Sequence, residues 1–256
     1  MAAKETVIGK FVNQILFKVD KSSVDDAKSA ISEVKGFAAK ALGAIGIGFS
    51  FTKLASLAEE FGSINDTIRG ATREMGDQAD IQQKILQGAQ DCREEYGVMA
   101  GDVTKLVQLN SKLFPVDDAV KFVSLVEKLE KGSGREANLD NTMSVLQKAM
   151  SSGKLDKSGF SNLKTAAPEV VKAISSAMGV SEKQLQNLAE SGKFSAKQLK
   201  EAFFAAESDI QKNFDELGFG IGDALTYVRN QWGLWLAGAD DMLGITTSIG
   251  LSLIHI

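Results

Sequence analysis

Between residues 139 and 206 the apolar positions recur at three- and four-residue spacing in short runs, each closed by a glycine or opened by a capping residue. Leu139, Met143, Leu146 and Met150 share one helical face, and Gly153 ends that run. A second helix is predicted to open near Asp156 and to carry Phe160 and Leu163. The third has Pro168 in its first turn, where a missing N–H costs nothing, then Val171, Ile174 and Met178, and it ends at Gly179. Ser181 with Gln184, and Ser195 with Gln198, each have the spacing of a capping box. They predict a fourth helix ending at Gly192 and a fifth running toward Phe203 and Phe204. Val180 and Phe194 precede the two caps and stand where a hydrophobic staple would meet Leu185 and Leu199.

The same spacing continues upstream. Leu54 and Leu57, then Ile64, Ile68, Ala71 and Met75, read as helical stripes, broken at Gly76-Asp77. Ile81, Ile85, Ala89, Cys92 and Tyr96 line a further face that Gly97 is expected to close. Asp102 is expected to open the next helix, with Val103, Leu106, Asn110 and Leu113, and Pro115 to end it. Asp117 is expected to cap another helix running to Lys131, before a Gly132-Ser133-Gly134 corner. Nearer the start, Phe11, Asn13, Ile15, Phe17 and Val19 alternate as a strand would, although a short helix also fits. Val24, Ala27, Ile31, Val34, Ala38, Ala41 and Ile45 form a long amphipathic seam, suited to self-association or to packing on the chain's own core. Residues 41–51 are uncharged and glycine-rich, but too few to span a bilayer, which needs ~20. They read as a buried hinge, with membrane contact the minor alternative.

The fold class is therefore mainly α: short capped helices around 139–206, a long N-terminal amphipathic helix, and a short strand near 11–19. The segments expected are 1–61 (strand, helix and hinge), 62–207 (a globular helical domain) and 208–250 (a helical extension containing Gly and Trp). The last six residues, LSLIHI, match the translation of a transposon end used in sequencing libraries. Residues 251–256 are thus expected to be adapter read-through, with the true frame continuing past Gly250.

Composition narrows the chemistry. Hydrophobic residues make up 44% of the chain, enough for a sizeable core, and two prolines leave helix the default. A formal charge of −4 argues against nucleic-acid binding, which needs a basic face. The lone Cys92 excludes an internal disulfide and a cysteine-based zinc site, and its apolar neighbours predict burial. The sole histidine, His255, lies in the suspect tail. The pairs Asp25-Asp26, Asp117-Asp118 and Asp240-Asp241 lack the pattern of a calcium loop, and the first two suit helix starts. Gly218–Gly222 has neither the preceding strand nor the lysine of a phosphate loop. Trp232 and Trp235 stand one turn apart as a packing or interface anchor. No catalytic, cofactor-binding or metal residue is assigned, and no cofactor is expected.

One ordered set of residues carries more. Gln147, Gly153-Lys154-Leu155, Leu163, Pro168, Met178-Gly179-Val180-Ser181, Leu185, Leu188 and Gly192-Lys193-Phe194-Ser195 together resemble the N-terminal part of tail tape measure proteins of long-tailed bacteriophages. The likeness is clearest over about a quarter of the chain and extends more loosely from Gly62-Ser63 to Gly222-Asp223-Ala224. It implies a non-enzymatic structural protein of a phage or prophage that sets tail length during virion assembly. The implied partners are further copies of itself and the tail-tube, tail-chaperone and tail-tip proteins. The implied location is the host cytoplasm during assembly and then the virion tail. Two other classes fit the residues alone: a cytoplasmic helical adaptor using the 27–45 seam and the tryptophan pair, and a membrane-active helical protein using 41–51 and the region after Ile221.

Overall fold

The structure is a computed structural model that describes residues 51–134 and 139–243. The strand at 11–19, the seam at 24–45 and the tail at 251–256 lie outside these residues. The chain divides into two units, Glu60–Ala237 and the remainder. Of the second unit only 51–59 and 238–243 are described, all helical.

The protein is mainly α, with eleven helices and no strand among the described residues. In chain order they are α1 (Phe51–Thr72), α2 (Gln78–Asp91), α3 (Tyr96–Leu109), α4 (Val116–Gly132), α5 (Leu139–Ser152) and α6 (Lys157–Ala166). Then follow α7 (Pro168–Met178), α8 (Glu182–Glu190), α9 (Ala196–Ala205), α10 (Glu207–Asp215) and α11 (Ile221–Leu243). None is long and apolar enough to cross a membrane.

Helix α4 is the centre of the compact unit, and α2, α3, α5, α7, α9 and α10 all pack on it. Its sequence explains the position. Val116, Ala119, Phe122, Val123, Leu125 and Val126 are all buried and point to several sides of the helix, more than one apolar face can account for. Phe122 anchors the core, edge-on to Phe114 at 5.2 Å and to Phe203 of α9 at 4.8 Å.

The corners between 152 and 196 follow the sequence closely. Asp156 caps α6 by accepting from Gly159 N–H at 2.7 Å, Pro168 opens α7, and Gly179 closes it in the left-handed region at φ 65°. Both capping boxes are complete, each cap adding typically ~1 kcal/mol. Two corners that read alike, Gly153-Lys154-Leu155 and Gly192-Lys193-Phe194, also lock onto one another. Leu155 N–H donates to Phe194 C=O at 2.9 Å, and Ala196 N–H donates to Gly153 C=O at 2.8 Å. The two bonds form an isolated antiparallel bridge between Lys154 and Ser195.

Upstream, three readings need correction. Tyr96 is the first residue of α3 rather than the end of α2, Gly97 lies inside that helix, and Asp102 stands in its middle. The break falls at 92–95, where Arg93 takes φ 59° and Glu94 N–H reaches back to Ala89 C=O at 2.7 Å. No glycine marks it, so the turn is invisible to composition. The buried seam of α1 is Ala58, Phe61, Asn65, Ile68 and Thr72, whereas Ile64 and Ala71 are half-buried and Met75 is 41% exposed. Two polar residues sit in the seam because each is satisfied there. Tyr96 Oη donates to Asn65 Oδ1 at 2.9 Å, and Thr72 Oγ1 to Ile68 C=O at 2.8 Å. Finally, Pro115 rather than Asp117 occupies the N-cap of α4, leaving Asp117 and Asp118 in the first turn, where the helix dipole favours them.

Candidate functional site

The polar chemistry of the compact unit gathers around the 92–96 corner. On its inner side stands α4, whose last turns bury the ionisable side chains Glu127, Lys128 and Glu130. Lys131 Nζ donates to Cys92 C=O at 3.1 Å and to Arg93 C=O at 3.0 Å, and pairs with Glu94 Oε2 at 2.8 Å. A left-handed residue turns these carbonyls inward, and one ammonium satisfies them. Burial works against the charge on Lys131, but the Glu94 carboxylate outweighs it and raises the lysine above its usual range. Burial likewise disfavours the Glu94 carboxylate, yet Lys131 holds it below the usual carboxylate value.

Glu127 differs from its neighbours. It is fully buried, with its carboxyl against the Glu94 carboxylate. Burial first, then the negative charge of Glu94, push its carboxyl up to about 9, so it is protonated at neutral pH. Glu130, also buried, accepts from Thr142 Oγ1 of α5 at 3.0 Å, and Lys128 donates to Gln211 of α10 at 2.8 Å. On α3, burial raises Asp102 while a 2.7 Å bond from Gln147 of α5 opposes it.

The outer side of the corner holds α11. Asn230 is fully buried and bridges the backbone: its Oδ1 accepts from Tyr96 N–H at 2.9 Å, and its Nδ2 donates to Glu94 C=O at 2.7 Å. Arg229 forks to Glu60 and Glu95, each at 2.6 Å. Arg93 donates to Gly218 C=O at 3.0 Å and to Leu217 C=O at 3.4 Å, and lies 4.5 Å over the Phe214 ring. The glycine loop at 218–220 is therefore fastened by an arginine side chain, and Asp223 closes it by accepting from Gly220 N–H at 2.8 Å. Gly233 lets α11 lie on Phe61, since an added Cβ would stand 2.2–2.4 Å from the ring. Trp232 is half-buried on the same helix.

These residues form a junction of α4, the 92–96 corner and α11. Cys92 is fully buried, its thiol donates to Gly88 C=O at 3.1 Å, and burial raises its pKa. Native protein is accordingly expected to react with a thiol reagent orders of magnitude more slowly than denatured protein. Labelling at equal rates would show that α2 is not packed as described. Among the described residues no three His, Cys, Asp or Glu side chains converge as metal ligands would. An open groove of about 280 Å³ between α2, α4 and α10 is crossed by the ion pairs Lys84–Asp117 (2.8 Å) and Lys121–Glu207 (2.5 Å), and so is a seam between helices.

Comparison with family profiles gives a match to the tape measure proteins over residues 52–241, nearly three quarters of the chain. The chain belongs to the tape measure protein family. Neither the curated proteins nor the solved structures gave a match. The family is a structural one, and the matched region takes in α1, the whole compact unit and all but the end of α11. The junction of this tape measure protein was missed from sequence because its parts lie 124–136 residues apart and bond mainly to backbone atoms. One signal was available: α4 is apolar on several sides, which marks a central helix and makes Glu127 and Glu130 candidates for burial.

Proposed function

We propose that this chain is a structural scaffold that sets tail length during phage tail assembly, acting in the host cytoplasm and ending in the virion tail. The family match over 52–241 carries the reading. The fold adds a division of labour. A helix held extended converts residue number into length at ~1.5 Å per residue. The packing of α5, α7 and α9 back onto α4 supports assigning the compact unit a different role. Its role in the proposal is a folded domain, with the length-encoding rod elsewhere in the protein. Further copies of the chain and the tail-tube, chaperone and tip proteins are its proposed partners.

Electron microscopy of tails from phage carrying in-frame deletions tests this. Removing part of the rod should shorten tails in proportion to the residues lost. Removing 139–206 should block assembly or make it irregular, since it strips α4 of three packing partners. Normal tails uniformly shorter by about 100 Å, the helical rise of 139–206, would place that stretch in the ruler and overturn the division.

A further inference from the structure

The attachment of α11 is unlike any other contact in the compact unit. Helix α4 buries ten residues, whereas α11 between 222 and 237 buries only Asn230, Gly233 and Ala237 among its described side chains. Its polar hold is a few points on the 92–96 corner, the Arg93–Asp223 pair among them, and one on Glu60 of α1. The Asn230 amide spans Glu94 C=O and Tyr96 N–H, and the Arg229 fork reaches Glu60 and Glu95 at a half-exposed rim. Its apolar seats include Gly233 against Phe61 and the buried Ala237. The surface beneath does not depend on α11. Phe61 stacks on Tyr96 at 5.4 Å, Tyr96 Oη is held by Asn65, and Lys131 fixes the corner's carbonyls from the core side. These ties to the corner come from α1 and α4, not from α11.

We propose that residues 221–237 form a releasable strap, which detaches as a unit from the 92–96 corner while α2–α10 stay folded. Release breaks the two Asn230 bonds, the two Arg229 ion pairs and the Arg93–Asp223 pair and uncovers Ala237 and one side of Phe61, so its cost is a fraction of global unfolding. The strap goes beyond the length-setting role and does not require it. It gives the chain a point at which the helix leaving the folded unit can be drawn away without melting that unit.

Hydrogen–deuterium exchange on the full chain, read by mass spectrometry, tests it without reference to tails. In the unaltered protein, peptides covering 221–237 should exchange at least roughly tenfold faster than those covering 116–132, because they open separately. Asn230→Ala should raise exchange in 221–237 by roughly tenfold more, the loss of two buried hydrogen bonds, and leave 116–132 unchanged. Arg229→Ala, at the solvated rim, tests the same opening without a buried cavity and should raise exchange only a few-fold. Should 221–237 and 116–132 exchange in step in all three proteins, α11 is an integral part of the core and no strap exists.

Discussion

Replacing Glu127 by Gln should stabilise the compact unit at pH 7, by on the order of a few kcal/mol. The residue is a carboxyl whose usual value near 4.5 rises to about 9 in the fold, chiefly through burial and then through the charge of Glu94. The sign follows from which state binds the proton. Below about pH 4.5 both folded and unfolded chains carry it, and the residue costs nothing by ionisation. Above that, the unfolded chain ionises freely while the folded one cannot, so stability falls by about 1.4 kcal/mol per pH unit until the folded carboxyl itself ionises near 9. Glutamine has nearly the same shape and no proton to lose. Its amide N–H can take the place of the carboxyl proton that faces the Glu94 carboxylate.

The groups around Glu127 leave the window from pH 5 to 9 mostly to it. Glu94 is held low and stays ionised throughout, and Lys131 is raised and stays charged. Cys92, also raised, adds its own cost only as the unfolded thiol begins to ionise near 9. Asp102 is raised as well, so a smaller loss at the acid end belongs to it. Urea unfolding of both proteins at pH 5, 7 and 9 is the measurement. The advantage of Glu127→Gln should be slight at pH 5 and largest at pH 9. A difference that does not change with pH, or a glutamine variant that is the less stable at pH 7, would show that the carboxyl ionises in place and is solvated or paired.

The contrast between what the sequence revealed and what it concealed has a physical basis. Corners at Asp156, Ser181 and Ser195 were legible because a capping side chain bonds a backbone group three residues away, within one window of sequence. Gly179 was legible because a left-handed residue is almost always glycine. The 92–95 turn uses the same left-handed geometry but with an arginine, whose cost is offset by contacts made to α10 and to the loop before α11. Nothing local announces it. The α1 seam was misread for a related reason. Periodicity locates apolar positions, and Asn65 and Thr72 are buried through hydrogen bonds that periodicity cannot see. Glu127 belongs with them: glutamate on an exposed helix and glutamate on a central one have the same letter.

A large loss of stability is expected from Phe194→Ala. Phe194 is fully buried at the corner between α8 and α9, and truncating a buried Phe typically costs 3–5 kcal/mol. Its place in the fold sets the expected value toward the upper end. Its own carbonyl accepts from Leu155 N–H, so a chain that shifts to fill the cavity must also strain the bridge to the corner between α5 and α6. Leu155 is buried there too, at 1% exposure, and Leu155→Ala should cost 2–5 kcal/mol. Because one bridge joins the two corners, the double variant should lose at least ~0.5 kcal/mol less than the two single losses added together. Lys154 and Lys193, the middle residues of the two corners, are exposed, and alanine at either should change stability by no more than ~0.5 kcal/mol. Denaturant unfolding of the five variants separates the outcomes. A Phe194→Ala loss below ~1 kcal/mol, or losses from Phe194 and Leu155 that simply add, would mean that the paired corners, despite their bridge, do not hold the helices together.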